Sequence, residues 1–197
     1  MKVLFKKPHF FYLIAILILG AFFRFYGLNW DQGHYLHPDE RLYVNSSNIY
    51  LPKNLQEFFS ANSPLNQKMF LYGPLPLYIY KITNIYLLPQ TSFIITSRLV
   101  SSVFSLLTIP LIFLISKQLF STKTSVLSAF IFTFSVGSIQ HAHFSTTESI
   151  LVFLLSWVVL SSFKLLTHEK YSIIIILSFL IGLSYATKIT ALLYTVI

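Results

Sequence analysis

The stretch FFYLIAILILGAFFRFYGL, residues 10–28, decides the fold class. Its one charge is Arg24, close to its far end. A helix needs about 20 mainly apolar residues to cross a bilayer, and this run is that long. Lys2, Lys6 and Lys7 precede it, as they would a cleaved signal peptide. The length of the run, Arg24 in the would-be cleavage region and the further apolar runs downstream argue against cleavage. Composition agrees: 55% of the 197 residues are hydrophobic, 17% aromatic and only 10% charged, with a formal charge of +8. The mean hydropathy is +0.69. A soluble domain carries roughly a quarter charged residues, so most soluble enzyme classes are excluded. The absence of cysteine removes disulfides, thiolate metal sites and cysteine nucleophiles.

Further spans are expected at about 93–116, containing Pro110, and at about 125–140, 149–166 and 171–188, followed by the start of a sixth. A spanning helix tolerates a proline as a kink. The expected fold is therefore an all-α, polytopic transmembrane helix bundle forming one domain over residues 1–197. Orientation follows from Lys and Arg in the short connections. Lys2, Lys6, Lys7, Lys117, Lys123, Lys164 and Lys170, half of the 14 basic residues, fall on one side with Glu169 as the only acid. That side, with the N-terminus, is expected to be cytoplasmic. The positive charge is thus a topology signal, and no nucleic-acid partner is expected.

The opposite, external side holds a long segment, about 29–92, and a turn at about 139–148. Together they carry Asp31, Asp39, Glu40, Glu57 and Glu148, five of the six acids. Tyr35, Tyr43, Tyr50, Tyr72, Tyr78, Tyr80 and Tyr86 also lie in the long segment, mostly as expected membrane-interface anchors. LQEFF and PLYIYKITNIYLL suit short helices lying on the membrane surface. A loop this long is usually functional or separately structured, so chemistry is expected on this face.

Its most informative string is His37-Pro38-Asp39-Glu40-Arg41. Adjacent carboxylates outside a bilayer repel each other and resist desolvation, which suits one of them to accept a proton. Asp39 after a proline equally reads as the start of a surface helix through Leu42 to Tyr50; a helix start would also hold the carboxylate rigidly. Glu148, in QHAHFSTTES beside His141 and His143, is an acid at a membrane-level turn and a functional candidate by position. The same turn also reads as helix capping by Ser145 or Thr146. Lys188 reaches the external end of its span, either snorkelling or positioned to meet a phosphate. Arg98 and Arg24, near the outer ends of their spans, could do the same. With Asp39 or Glu40, the Glu148 group could hold a divalent cation, on loose imidazole-and-carboxylate spacing.

These strings together resemble the N-terminal part of a GT-C superfamily membrane glycosyltransferase of the family 39 type, which includes protein O-mannosyltransferases and bacterial lipid-linked-sugar transferases. RFYGLNW closes the first span, HPDERLY is the acidic motif of the first external loop, and YGPLPLYIYK ends that loop. SRLVSSVFSLLTIPLIFLISKQLF forms the second span, HAHFSTTES the second acidic turn, and GLSYATKIT the threonine-lysine signature. The resemblance implies a polyprenyl- or dolichyl-phosphate sugar donor, a protein, lipid or glycan acceptor and inverting transfer on the external face. It implies Asp39 as general base, Glu40 orienting it, and Lys188, with Arg98, neutralising the phosphate. His37 and His143 are expected beside the substrate, and Glu148 to hold a metal or to bind donor or acceptor. Tyr72-Gly73-Pro74-Leu75-Pro76 departs from the Glu-Lys and Pro-Pro pattern of transferases acting on lipid A, and Glu148 stands where Asp is commoner. The chain stops at Ile197 in an apolar run, so it is expected to be part of a longer module that need not be active alone. A non-catalytic module binding lipid or a partner is the alternative. A prokaryotic cytoplasmic membrane is the expected location.

Overall fold

A computed structural model describes residues 8–47, 50, 52–64, 66, 72–167 and 170–194. Lys2, Lys6, Lys7 and Glu169, used above for orientation, lie outside the described residues. Nine α-helices run in chain order among those described: α1 (Pro8–Phe25), α2 (Pro38–Asn45), α3 (Leu55–Phe58), α4 (Leu75–Tyr86), α5 (Phe93–Leu119), α6 (Thr122–Thr133), α7 (Val136–Ala142), α8 (Glu148–Thr167) and α9 (Tyr171–Thr187). A 3-10 helix over Ile189–Tyr194 follows. The fold is all-α, and the described residues contain no strand beyond one isolated bridge between Tyr72 and Lys188.

Helices α5 and α8 are long and apolar enough to cross a membrane, and α6 and α7, bent by 56° at their break, are so only when taken together. The apolar helices α1 and α9 are shorter. The span expected at 125–140 is thus two helices rather than one. Its backbone leaves the helical region at Ser135, where φ is −62° and ψ 112°. Helix α1, expected as the first span, ends at Phe25, three residues earlier than expected, because Gly27 adopts φ of 79°. Glycine takes this left-handed conformation without steric cost and stops a helix.

Helix α5 organises the bundle through its composition. Ser97, Ser101, Ser102, Ser105 and Thr108 are buried along it, and small residues let helix backbones approach closely inside a membrane. The Ser102 hydroxyl lies 2.7 Å from the Arg24 carbonyl and 2.8 Å from that of Ala142, joining α5 to the ends of α1 and α7. One core cluster includes Tyr43, Leu77, Tyr80, Val100, Ile150, Leu154 and Leu180, drawn from α2, α4, α5, α8 and α9. Helix α4 therefore buries one face in the bundle and leaves Ile82, Ile85 and Tyr86 exposed. Two tyrosines expected as surface anchors, Tyr43 and Tyr80, are wholly buried. The Tyr80 hydroxyl donates to the Thr146 carbonyl at 2.6 Å, pinning α4 to the turn before α8.

Candidate active site at the outer ends of the helices

Asp39 and Glu40 are neighbours that face different surroundings. Helix α2 starts at Pro38, whose fixed φ suits a first helical position. His37, rather than Asp39, is the N-cap: its Nδ1 accepts from the Asp39 amide at 3.2 Å. The His37 ring packs against Phe144, with centroids 4.2 Å apart. The helix stops at Asn45 instead of reaching Tyr50.

Glu40 turns inward and is fully buried. Its carboxylate accepts from Arg98 Nε at 2.8 Å and Arg98 Nη2 at 2.7 Å, and from the Ser145 amide at 2.7 Å. Asp31 takes the other edge of the same guanidinium, from Nη1 at 2.9 Å and Nη2 at 2.7 Å. Arg98 Nη1 also donates to the Leu28 carbonyl at 2.9 Å, and the guanidinium sits 5.2 Å from the Trp30 ring centroid. Such forked, charge-assisted bonds fix geometry as well as adding energy. Asp31 also accepts from the Gly33 and Leu36 amides. The hydrogen bonds from Arg98 hold its carboxyl well below the usual carboxylate range, against the raising effect of burial. Arg98 is fully buried, and Nε, Nη1 and Nη2 all donate to protein oxygens, so the expected phosphate contact would require this cluster to open. The sequence puts Asp31 among the acids of the long segment without marking it as a site residue. The signal available was an arginine within a span, which needs a counter-ion.

Asp39, half-buried on the same first turn, faces a second group. The Tyr72 hydroxyl is raised above its ordinary pKa, first by burial and then by the adjacent Asp39 carboxylate. Lys188 Nζ lies 5.2 Å from the Tyr72 ring centroid and donates to Glu148 Oε1 at 2.8 Å. Burial would lower the Lys188 pKa, but the Glu148 carboxylate outweighs it and raises it. The Lys188 and Glu148 side chains are 24% and 23% exposed, open enough to meet a ligand. Asp39, Tyr72, Glu148 and Lys188 thus converge from α2, the end of the long loop, the start of α8 and the end of α9.

The loop end is held there by backbone. Gly73 N donates to the Thr187 carbonyl at 2.9 Å beside the Tyr72–Lys188 bridge. A Cβ at Gly73 would collide with the Ala186 carbonyl. Lys188 itself is extended, with φ of −159° and ψ of 134°, between α9 and the 3-10 helix.

His143 lies apart from this group. Its Nδ1 is 2.8 Å from the Ile139 carbonyl and its Nε2 2.8 Å from the Tyr26 carbonyl, tying α7 to the end of α1. Arg24 is fully buried and donates to Ser105 and to the Gly20 and Thr133 carbonyls, away from the Asp39 group. Among the described residues, no group of three or more His, Asp or Glu converges as a metal-ligand set. Glu148 is occupied by Lys188, and both His143 nitrogens face carbonyls. These residues do not fit the oxygen-rich shell that Mg²⁺ or Ca²⁺ requires.

A family model described as dolichyl-phosphate-mannose-protein mannosyltransferase matches residues 73–197. The matched region contains Arg98, His143, Glu148 and Lys188, while His37, Asp39 and Glu40 precede it. No curated protein and no solved structure matched the chain. The match covers more than half of the chain, over helices apolar enough to span a membrane. The chain therefore belongs to the dolichyl-phosphate-mannose-protein mannosyltransferase family, membrane glycosyltransferases that use a lipid-linked sugar.

Proposed function

We propose that the protein transfers a sugar from a polyprenyl- or dolichyl-phosphate donor to an acceptor hydroxyl, with Asp39 as general base. The convergence of Asp39, Tyr72, Lys188 and Glu148 at one end of the bundle carries this reading. In the proposed step the acceptor oxygen attacks the anomeric carbon while its proton passes to Asp39. The bond from that carbon to the phosphate oxygen breaks, and the electron pair leaves with the polyprenyl phosphate. Lys188 neutralises the departing phosphate, and Glu148 holds the ammonium in place through the 2.8 Å ion pair. A single displacement inverts the anomeric centre. Glu40 acts on Asp39 at one remove, by anchoring α2 to Arg98 and Ser145. Basic residues in the opposite connections support an external active face, an N-terminus in the cytoplasm and residence in a prokaryotic cytoplasmic membrane. The family name supports a protein acceptor.

The test is reconstitution of the full-length protein in liposomes with radiolabelled polyprenyl-phosphate mannose and an acceptor peptide. Label is expected in the peptide, and mannose should appear with the anomeric configuration opposite to the donor's. Donor binding without transfer to peptide, lipid or glycan acceptors would instead support the non-catalytic module.

A further inference from the structure

A cavity of about 240 Å³ lies between α5, α6, α7 and α8. That is below the roughly 300–1,000 Å³ of pockets that enclose drug-sized ligands. Glu148 lines it, so the carboxylate that holds Lys188 also forms part of this wall. The remaining polar lining comes from His141 and from the hydroxyls of Ser105, Thr108, Ser135, Ser138 and Ser149.

The hydrogen-bond ledger of those hydroxyls defines what the cavity can take. A hydroxyl has one proton and two lone pairs. Thr108 donates its proton to the Phe104 carbonyl at 2.9 Å, and Ser149 to the His141 carbonyl at 3.0 Å. Ser105 donates to the Ser138 carbonyl at 3.2 Å, and Ser138 to the Ser135 hydroxyl at 3.4 Å. Four of the five hydroxyl protons are thus used within the protein, whereas Ser135 accepts from Ser138; Ser105 also accepts from Arg24 Nε at 2.8 Å, and the buried His141 Nδ1 has no partner. A wall of hydroxyls, one carboxylate and an unpartnered imidazole nitrogen suits a ligand carrying several hydroxyl groups, which both donate and accept. Phe132 adds an apolar face to the same cavity. Hydroxyl groups on a ring with an apolar face are the chemistry of a single sugar.

We propose that this cavity binds the sugar ring of the donor, with Glu148 dividing the ligand between a phosphate side at Lys188 and a sugar side beneath it. The proposal rests on the glycosyltransferase reading and deepens it. The break between α6 and α7 then has a purpose, because Ser135, Gly137 and Ser138 on the outer piece form part of the cavity lining. Gly137 supplies the test. A Cβ there meets nothing within 4 Å, and leucine favours a helix over glycine. Gly137 is exposed at the cavity's edge, so Gly137→Leu should narrow the entrance without disturbing the backbone.

The full chain in liposomes is titrated with two probes, polyprenyl phosphate and polyprenyl-phosphate mannose. The wild type is expected to bind the sugar-bearing probe more tightly. Gly137→Leu should weaken that binding by about tenfold or more while keeping polyprenyl phosphate within about twofold. Gly137→Ala, which adds only the clash-free Cβ, controls for folding. Equal wild-type affinity for both probes, or normal mannose-lipid binding by Gly137→Leu, overturns the sugar site and leaves the transferase reading standing. Failure of the wild type to bind either probe overturns both.

Discussion

At the residue scale, one buried cation balanced by two carboxylates sets the site's geometry. Removing Arg98 leaves Asp31 and Glu40 buried with their partner gone, and breaking such a pair from one side costs about 3–5 kcal/mol. Arg98→Met should therefore lower the thermal unfolding midpoint in detergent sharply, and an unchanged midpoint would contradict the assignment. The same group fixes a pH dependence. Asp31 has its carboxyl depressed in the folded protein by Arg98. Its stabilisation is fully present above the unfolded value of about 3.9 and is lost as pH falls through the folded value. Stability should be flat with respect to this group from pH 8 to about pH 5 and decline in stronger acid. The decline should be shallower in Asp31→Asn, read from unfolding midpoints across pH. Little of this was legible in sequence: Arg98 and Glu40 are 58 positions apart, and nothing local to either names the other. That Asp39 and Lys188 share one end of the bundle was legible, because each lies at or beyond the end of an apolar run on the side opposite the basic connections.

At the element scale, two breaks shape the end that carries Asp39. Helix α9 gives way to an extended Lys188, and the loop end pairs with it through Tyr72 and Gly73. Because a side chain at Gly73 meets backbone, the loop has to move away if one is added. Gly73→Ala should keep the bundle folded but cut transfer by about a hundredfold, the effect of a displacement near 1 Å at a reacting site. Transfer at the wild-type rate would show that the bridge does not position Tyr72. The other break, between α6 and α7, escaped the sequence reading because residues 125–140 carry neither a charge nor a proline to mark it, and hydropathy carries no direction. Tyr72 escaped for a related reason: seven tyrosines in one loop look alike until the chain path separates the buried Tyr43 and Tyr80 from the one beside Asp39.

At the scale of the whole molecule, the all-α membrane architecture was legible from composition and span-length apolar runs, because a chain in a bilayer must satisfy its backbone internally. Orientation was read from Lys and Arg alone, and the lack of native cysteine makes it directly testable. In right-side-out vesicles, a membrane-impermeant maleimide should label Gln90→Cys. Lys123→Cys should be labelled only after permeabilisation, and the reverse pattern would place the site on the cytoplasmic face. What joins these scales is the meeting of four chain segments around Asp39 and Lys188. The most direct test is sugar transfer by Asp39→Asn in the full-length, reconstituted protein, measured beside donor binding. A positioned general base contributes about 10²–10⁴-fold, so transfer should fall by that factor while donor binding and thermal stability stay near wild type. Transfer at the wild-type rate by a folded Asp39→Asn protein would contradict the account.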